Sequence, residues 1–597
     1  MPTFAAQQSL FRAYDIRGSH KLFTPDFVDA LGNTFAHLYT ALPSHTKNRF
    51  LKTNSLKNSF LEKSSLAQSI DSKKVIVVIG YDVRCGSNNI AYRLADILTQ
   101  YGMQVIQLGL VTTPMMAFWA EQYHGHGIVV TASHSAKDIL GIKWLINHKS
   151  PSSIEIQRLY QQLLGSESKS QFNGQKDNLD QNTFLSFINK SLNDQTDLPH
   201  DQVTTTYIAA ITQVFEQIYP FDKKSLDNNP SSSNKLDLVV VIDCMNGATS
   251  TIAQRLFNCF CQQVIMLNDT PDGNFPTGNP DPTEPDRLKQ LQKNVLDHQA
   301  DIGMAFDGDG DRLMIVDNSG KVVTPDHLLY LLAQVALAER PKPLTDSLPI
   351  SQILFDIKCS HHLPIMLSEL GTKPVLSKTG SSLMRQQMQR AGSPILFAGE
   401  LSGHFIFNDS RFIIYDDAMY AALRLLHWLS VANESHGKNA LTEITQRLPA
   451  VVNTADHYLP IPETSVEDCS VVEQLTRLCQ YLRRLVEASV EDNADHYLLD
   501  TCPPSLCRCS ENRQYITLEQ ARYLLPIGTK LSCIDGVRLD FAHGFGVLRQ
   551  SNTSHKLTAR FAGDTLNDLK DIQEKFAALC RPFDQELAEQ IAAIPAE

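Results

Sequence analysis

Residues 236–247 read LDLVVVIDCMNG, an apolar, β-branched run that closes on Asp and Gly. Three further stretches share the pattern and lead into helical periodicity: KVIVVIGYD at 74–82, GIVVTASH at 127–134 and ILFDIK at 353–358. Strands that are apolar throughout are buried on both faces. Alternating with helices, they make parallel sheets covered on both sides. The expected class is α/β, with ligand-binding groups at the carboxyl ends of the strands.

The chain has 597 residues, 43% of them hydrophobic. That exceeds one ordinary core and predicts about three to five domains. A net charge of -12 gives no basic footprint, which argues against nucleic acid and against an anionic membrane surface. A small anionic substrate is compatible, because Arg and Lys can cluster locally. The opening MPTFAAQQSLFRAYDIRG has no apolar core after a basic start, and no later run approaches a membrane span. The expectation is a cytoplasmic protein. Most of the 12 cysteines are scattered in apolar surroundings, as at Cys244 and Cys359, where a reduced thiol acts as a small hydrophobe. Cys502, Cys507 and Cys509 cluster in TCPPSLCRCS with a spacing unlike a zinc knuckle; metal binding and free loop thiols both stand. Polar stretches at about 43–73, 164–203 and 221–235 read as insertions or mobile loops. A longer irregular region, 455–525, contains the helical VVEQLTRLCQYLRRLVEA.

The sharpest chemical signal is IGMAFDGDGDRLMIVD, where Asp307, Asp309 and Asp311 alternate with glycines straight after an apolar strand. A tight loop makes three carboxylates converge, and converging oxygen ligands suit a hard cation such as Mg²⁺. A calcium-binding EF-hand fails in detail, since Arg312 and Asn318 stand where Gly and Glu are needed. A solvated acidic turn is the other reading. In VVTASHSAKDILGIKW, Ser133 and His134 follow a strand and Lys143 lies downstream; the pair is either a nucleophile with help nearby or a capped turn. FAGELSGHFIFND places Glu400, Ser402 and His404 on a Gly-bounded loop, suited to paired sugar hydroxyls or to an ordinary hairpin turn. GFGVLRQSNTSHKLTARF brings Arg549, Ser551, Asn552 and Thr553 together, as a phosphate cradle or a polar turn.

In this order the four segments resemble the α-D-phosphohexomutase superfamily, in particular its bacterial phosphomannomutase/phosphoglucomutase branch. FRAYDIRG at 11–18, DCMNG at 243–247, DGNFP at 272–276, KTGSSL at 378–383 and DGVRLDF at 535–541 extend the resemblance over nearly the whole chain apart from the polar insertions. It implies four domains around a central cleft: three related α/β domains with mixed sheets and a C-terminal domain of TATA-box-binding-protein-like α+β fold. The expected boundaries are 1–205, 206–321, 322–450 and 451–597. It further implies that Ser133 is the phosphorylated nucleophile, with His134, Lys143, Arg17 and His404 as catalytic neighbours. Asp307, Asp309 and Asp311 would bind Mg²⁺ with a phosphoserine oxygen of Ser133. Glu400 and Ser402 would hold sugar hydroxyls. Arg549, Ser551, Asn552 and Thr553 would hold the phosphate that is not reacting, and Tyr14, Arg312 and Lys378 would also line the substrate site.

The implied activity interconverts hexose 1-phosphate and 6-phosphate, of mannose or glucose, through a hexose 1,6-bisphosphate that also serves as activator. Transfer depends mainly on positioning and on nearby cations. The expected partners are hexose phosphates alone, and the expected state is a monomer or weak homo-oligomer. Departures from the branch are Tyr81 in the Gly-Tyr-Asp that replaces Gly-Arg-Asp, with Arg84 kept; Ser135 and Ala136 where Asn-Pro is usual; and Ser381 in place of a His near the substrate. A phosphoglucosamine mutase would differ at Gly310 and Leu401. A degenerate sugar-phosphate-binding protein with little turnover is the reading from another class, suggested by the altered TASHSAKD loop.

Overall fold

The computed structural model describes residues 4–41, 74–123, 125–170, 195–219, 235–340, 349–437, 439–460, 471–490, 498–500, 515–551, 556–582 and 584–596. The polar stretches 43–73 and 221–235, apart from Lys235, lie outside the described residues, as do Cys502, Cys507 and Cys509. The chain forms two compact units, one of Met1–Ile353 with Gly380–Gln446 and one of Leu354–Thr379 with Arg447–Glu597.

In the first unit, β1 (Ile16–Ser19), β2 (Ile76–Tyr81), β3 (Gln104–Leu110), β4 (Gly127–Val130), β5 (Ile139–Leu145) and β6 (Gln195–Asp197) make one sheet in the order β1-β5-β4-β2-β3-β6. The pairs β2–β3, β2–β4 and β3–β6 are parallel, whereas β5 is antiparallel to both of its neighbours, β4 and β1. The sheet is thus mixed rather than purely parallel. The short loop between β4 and β5 leaves no room for a crossover helix, so β5 must return antiparallel. β6 and the helix His200–Ile218 also correct part of the reading of 164–203 as an insertion.

The second sheet repeats the device. β7 (Leu236–Asp243), β8 (Cys261–Leu267), β9 (Ile302–Phe306), β10 (Leu313–Asp317) and β11 (Val322–Val323) lie in the order β11-β10-β9-β7-β8. β7 is parallel to β8 and β9, and β10 is antiparallel to β9 and β11. Next along the chain come β12 (Gln352–Asp356), β13 (Lys373–Ser377), β14 (Ile395–Gly399) and β15 (Phe405–Phe407); β14 and β15 again form an antiparallel hairpin. The helix Pro25–Thr40 starts on Thr24, whose hydroxyl accepts from the Phe27 N–H, with Pro at its first position. It buries Phe27, Leu31 and Phe35, and Phe35 meets Trp144 of β5 edge-on, ring centroids 5.2 Å apart. That contact ties the helix to the first sheet within one hydrophobic core.

The second unit is built on an antiparallel sheet. β16 (Val452–Asn453), β17 (His457–Leu459), β18 (Leu498–Asp500), β19 (Tyr515–Thr517), β20 (Lys530–Ser532), β21 (Val537–Phe541), β22 (Gly544–Gln550) and β23 (Leu557–Gly563) follow in chain order. Five of them lie as β16-β23-β22-β21-β20, with β17 also on β23 and β18 paired with β19 apart. The expected helix in the 455–525 region is Val471–Val490; its Leu475, Leu478, Leu482 and Leu485 are buried with Phe561 and Phe576, the spacing of one helix face. Segment 354–379 joins this unit through buried Arg538, which donates to the carbonyls of Ile357 (2.5 Å) and Cys359 (2.7 Å). Lys358 adds an ion pair to Asp456 at 2.6 Å.

Burial pushes the Asp456 carboxyl up, but Lys358 and then Arg560 outweigh it and hold it at about 2. A depressed carboxylate contributes stability that is present above its unfolded pKa, about 3.9, and is lost as pH falls through the folded value. Asp456→Asn should therefore lower the urea midpoint at pH 6, with wild-type and variant curves converging between about pH 4 and pH 2. Parallel curves over that range would contradict the pairing.

Candidate active site

Three reversals of the chain carry the candidate groups of the first unit: the loop after β4, the loop between β9 and β10, and the turn between β14 and β15. The first presents Ser133, 2% exposed, with φ +51°, a left-handed conformation that a serine adopts only when its surroundings hold it. Its N–H donates to Thr131 Oγ1 at 3.0 Å. Arg84 supplies the rest of the grip. One terminal nitrogen donates to the carbonyls of Ser133 (2.6 Å) and Ser135 (2.5 Å), the other to Ala136 (2.5 Å) and Ile139 (3.1 Å). Asp82 orients the guanidinium from 3.1 Å. Ser135, standing where the family resemblance expects Asn, accepts from Arg17 at 3.2 Å.

The second loop holds Asp307, Asp309 and Asp311, all buried. Asp307 Oδ1 accepts from the backbone N–H groups of Gly310, Asp311 and Arg312 at 3.0, 3.0 and 3.1 Å, so the loop is wound on its own first carboxylate. Asp307 Oδ2 accepts from Ser133 Oγ at 2.6 Å. Lys143 bridges the other two, 2.7 Å from Asp309 Oδ2 and 2.6 Å from Asp311 Oδ2; Thr113 also donates to Asp309. Side-chain-free backbone is required at Gly308, where a Cβ would stand 2.5 Å from the Ser133 carbonyl oxygen. Gly310 has φ +77°.

Three carboxylates this close disfavour one another's charge. Burial, then Asp311 and Asp309, drive Asp307 well above the ordinary range. Asp309 and Asp311 end below it although burial pushes them up. For Asp309 the Asp311 charge raises it too and Lys143 outweighs both; for Asp311 the chief opposing charge is Lys143. Asp309 Oδ1 and Asp311 Oδ1 are buried without a hydrogen bond among the described residues. Two such oxygens beside a third carboxylate and a hydroxyl are a hard, anionic donor set that fits Mg²⁺.

The third turn is both the hairpin and the polar cluster that its sequence allowed. Glu400 is buried and accepts from the Gly380 N–H and from Ser402 Oγ at 3.2 Å. Tyr14 is half-buried with its ring against Gly380. His404 Nδ1 lies 2.9 Å from Asp416 Oδ2 and 3.1 Å from the Asp311 carbonyl, and its Nε2 accepts from Arg312 Nε at 3.3 Å. Burial opposes charge on this ring, but Asp311 and Asp416 raise it to about 9. A proton arriving at Nε2 would displace the Arg312 hydrogen bond. His134 behaves oppositely: it contacts Asp281 at 2.6 Å, yet burial and Arg312 press it down to about 4.

The first unit thus brings together Ser133, His134, Lys143, Arg17, Arg312, Glu400, Ser402, His404, Tyr14 and the three aspartates around connected contacts. Lys378, Arg549 and Ser551 belong to the second unit. There Lys378 is exposed, and buried Arg549 donates to Asp535 at 2.8 Å. Ser551 N–H donates to the Lys556 carbonyl at 2.8 Å. Asn552 and Thr553 lie outside the described residues. Sequence reasoning missed Asp281, which touches both His134 and Arg312. It also missed Asp416, paired with His404 and Arg385. Neither sits in a motif; their partners are distant in sequence.

A serine hydroxyl aimed at converging carboxylates, with the half-buried cations Lys143, Arg17 and Arg312 nearby, is equipped to receive and release a phosphoryl group. Comparisons with known proteins agree. The phosphoglucomutase/phosphomannomutase α/β/α domains I, II and III match residues 55–169, 211–320 and 324–450. A phosphomannomutase/phosphoglucomutase of Pseudomonas syringae pv. tomato is 30% identical over 86% of this chain and 88% of its own. One of Pseudomonas aeruginosa is 28% identical over 98% of both. The crystal structure of a phosphoglucomutase/phosphomannomutase family protein from Burkholderia thailandensis is similar with TM-score 0.66 and 26% identity, over 99% of each chain. The chain belongs to the phosphoglucomutase/phosphomannomutase family of the α-D-phosphohexomutase superfamily, with three α/β/α domains and the intramolecular phosphotransferase activity of that class.

Arg84 reaches the serine loop through its backbone carbonyls and, among the described residues, touches no candidate reacting atom, so it positions Ser133 rather than reacting. Misplacing a reacting atom by about 1 Å costs roughly a hundredfold. Arg84→Ala should lower kcat by about that factor with KM nearly unchanged, whereas a rise in KM at constant kcat would assign Arg84 to substrate binding instead.

Proposed function

We propose that the protein interconverts hexose 1-phosphate and hexose 6-phosphate, of mannose and glucose alike, by passing a phosphoryl group through Ser133. The observation that carries the reading is the 2.6 Å contact of Ser133 Oγ with Asp307 at the head of a loop whose other two carboxylates share Lys143. Phosphorylated Ser133 gives its phosphoryl group to the free 1- or 6-hydroxyl of the bound sugar. The Ser133 O–P bond breaks, a sugar O–P bond forms, and the proton of the sugar hydroxyl ends on the freed Ser133 Oγ, with His404 assigned as the acid or base beside the transfer. The resulting 1,6-bisphosphate turns end over end, and its other phosphate returns to Ser133.

Asp307, Asp309 and Asp311, with Ser133, would hold Mg²⁺, which supplies positive charge beside the phosphoryl oxygens when bound. Lys143 and Arg17 stabilise charge on the group in flight. Glu400 and Ser402 are assigned to sugar hydroxyls, with Tyr14 and Arg312 beside them. Lys378, Arg549, Ser551, Asn552 and Thr553 are assigned to substrate binding, the last four to the phosphate that is not reacting. Arg549 keeps one terminal nitrogen buried without a partner among the described residues, a donor available to such an anion. We place the enzyme in the cytoplasm, in accord with unbridged cysteines among the described residues, working as a monomer or weak homo-oligomer with hexose 1,6-bisphosphate as activator.

Ser133→Ala should reduce turnover on the order of a thousandfold or more, because the phosphoryl group passes through the oxygen that this serine sets on Asp307; near-normal activity would remove the central role of this serine. Chelation should silence the enzyme and Mg²⁺ restore it, and Asp309→Asn should raise the Mg²⁺ concentration needed. Full activity in excess chelator would contradict the metal assignment.

Glu400 and Ser402 suit the 3- and 4-hydroxyls, which point the same way in both sugars, while the epimeric 2-hydroxyl has no assigned partner. A site that makes no hydrogen bond to a group discriminates weakly, so preference between mannose and glucose 1-phosphates should stay within roughly a hundredfold. Coupled assays at saturating bisphosphate measure it; a many-thousandfold preference would reveal a dedicated 2-hydroxyl contact.

A further inference from the structure

In the second unit, three imidazoles converge on one carboxylate. Asp564 Oδ1 lies 2.7 Å from His362 Nε2 and 3.0 Å from His361 Nε2, and Asp564 Oδ2 lies 3.1 Å from His543 Nδ1. The nitrogen and oxygen donors of His361, His362 and Asp564 are all within 4.8 Å of one another. None of these residues belongs to the phosphoryl-transfer machinery described above.

Electrostatics alone does not account for the grouping. One carboxylate balances one imidazolium, and His361 is 6% exposed at its side chain, a poor place for a second unpaired cation. Neutral imidazole is instead the form that binds metal. Nitrogen donors with one carboxylate suit zinc and similar transition metals over magnesium or calcium. A tetrahedral zinc with bonds of about 2.0–2.1 Å sets its donors about 3.3 Å apart, close to the 2.7 and 3.0 Å that separate Asp564 Oδ1 from the two ring nitrogens. The donors also stand on held backbone. Arg538 fixes the carbonyls of Ile357 and Cys359 just before the two histidines. The Asp564 N–H donates to the His543 carbonyl at 2.9 Å, locking those two residues opposite each other. Preorganised ligands of this kind need little rearrangement to close on an ion. His543 is 69% exposed at its side chain, which leaves the cluster open to solvent on that side.

We propose that His361, His362 and Asp564 form a binding site for a divalent transition-metal ion, zinc foremost, separate from the magnesium loop, with His543 orienting Asp564 through its second carboxylate oxygen. The ion would staple the segment bearing His361 and His362 to the ends of β21 and β23, and so stabilise the second unit without entering the chemistry.

The test is zinc titration of the full-length protein in excess Mg²⁺, read by equilibrium dialysis with metal analysis and by the melting temperature. One zinc per chain is expected, with a Kd at or below about 1 μM. Zinc at a hundred times Kd should raise Tm by at least about 2 °C. His362→Ala and Asp564→Ala should each weaken binding at least tenfold, and Asp309→Asn should leave it unchanged. Should the first two variants fold poorly, His543→Ala, at an exposed position, should still weaken binding. Cobalt bound to the wild type should then show tetrahedral ligand-field bands without thiolate charge transfer. No zinc bound at 100 μM would overturn the proposal. So would binding that survives the His and Asp564 substitutions, binding lost in Asp309→Asn, or a thiolate signature from any of the 12 cysteines.

Discussion

The site depends on burying three carboxylates in one six-residue reversal of the chain, Asp307–Arg312. Isolated buried charges cost several kcal/mol each even after relaxation, so the loop persists only through what it is given. The backbone N–H groups of Gly310, Asp311 and Arg312 converge on Asp307, and Lys143 spans Asp309 and Asp311. Ser133 completes the first shell of the leading carboxylate. The same crowding that makes the loop expensive without a cation suits it to a compact divalent one, and on the function proposed above Ser133 stands where that positive charge would be held.

The fold delivers these groups with one device used three times. β4 to β5, β9 to β10 and β14 to β15 each turn back antiparallel, and each turn exposes functional side chains at the carboxyl end of a buried strand. Backbone bonds then tie the acidic loop to the Glu400 turn and to two neighbouring segments. The Leu313 N–H donates to the Gly403 carbonyl, Thr113 N–H to the Asp309 carbonyl and Ala248 N–H to the Gly308 carbonyl. The acidic loop and the Glu400 turn are therefore held by backbone contacts that leave their side chains free of that task, which suits the proposed reaction, governed by placement more than by covalent help.

Much of this was legible in the sequence because it is local. Apolar runs ending in polar residues announced β2, β4, β7 and β12, and Asp-Gly alternation announced the acidic loop. Pairings across the chain were less so. The mixed character of the sheets follows from loop lengths that strand composition does not reveal. Asp281 and Asp416 acquire meaning only once His134 and His404 are brought to them. Replacing Asn-Pro by Ser135 and Ala136 removes a proline from the loop, yet Arg84 holds the carbonyls of Ser133, Ser135, Ala136 and Ile139, and Arg17 holds the Ser135 hydroxyl. Backbone acceptors leave no trace in side-chain identity, so this compensation could not be read from residue types. The grouping of Leu354–Thr379 with the C-terminal residues rests likewise on Arg538 and Lys358 reaching across more than ninety positions of sequence, as Asp456 with |i−j| = 98 shows.

The central claim is that Ser133 carries the phosphoryl group. Incubating the purified protein with glucose 1,6-bisphosphate and Mg²⁺, then mapping phosphopeptides by mass spectrometry, tests it directly. The account predicts one phosphoryl group per chain, on Ser133, that is discharged when excess glucose 1-phosphate is added. A protein that stays unmodified, or carries the phosphoryl group on another residue, would contradict it.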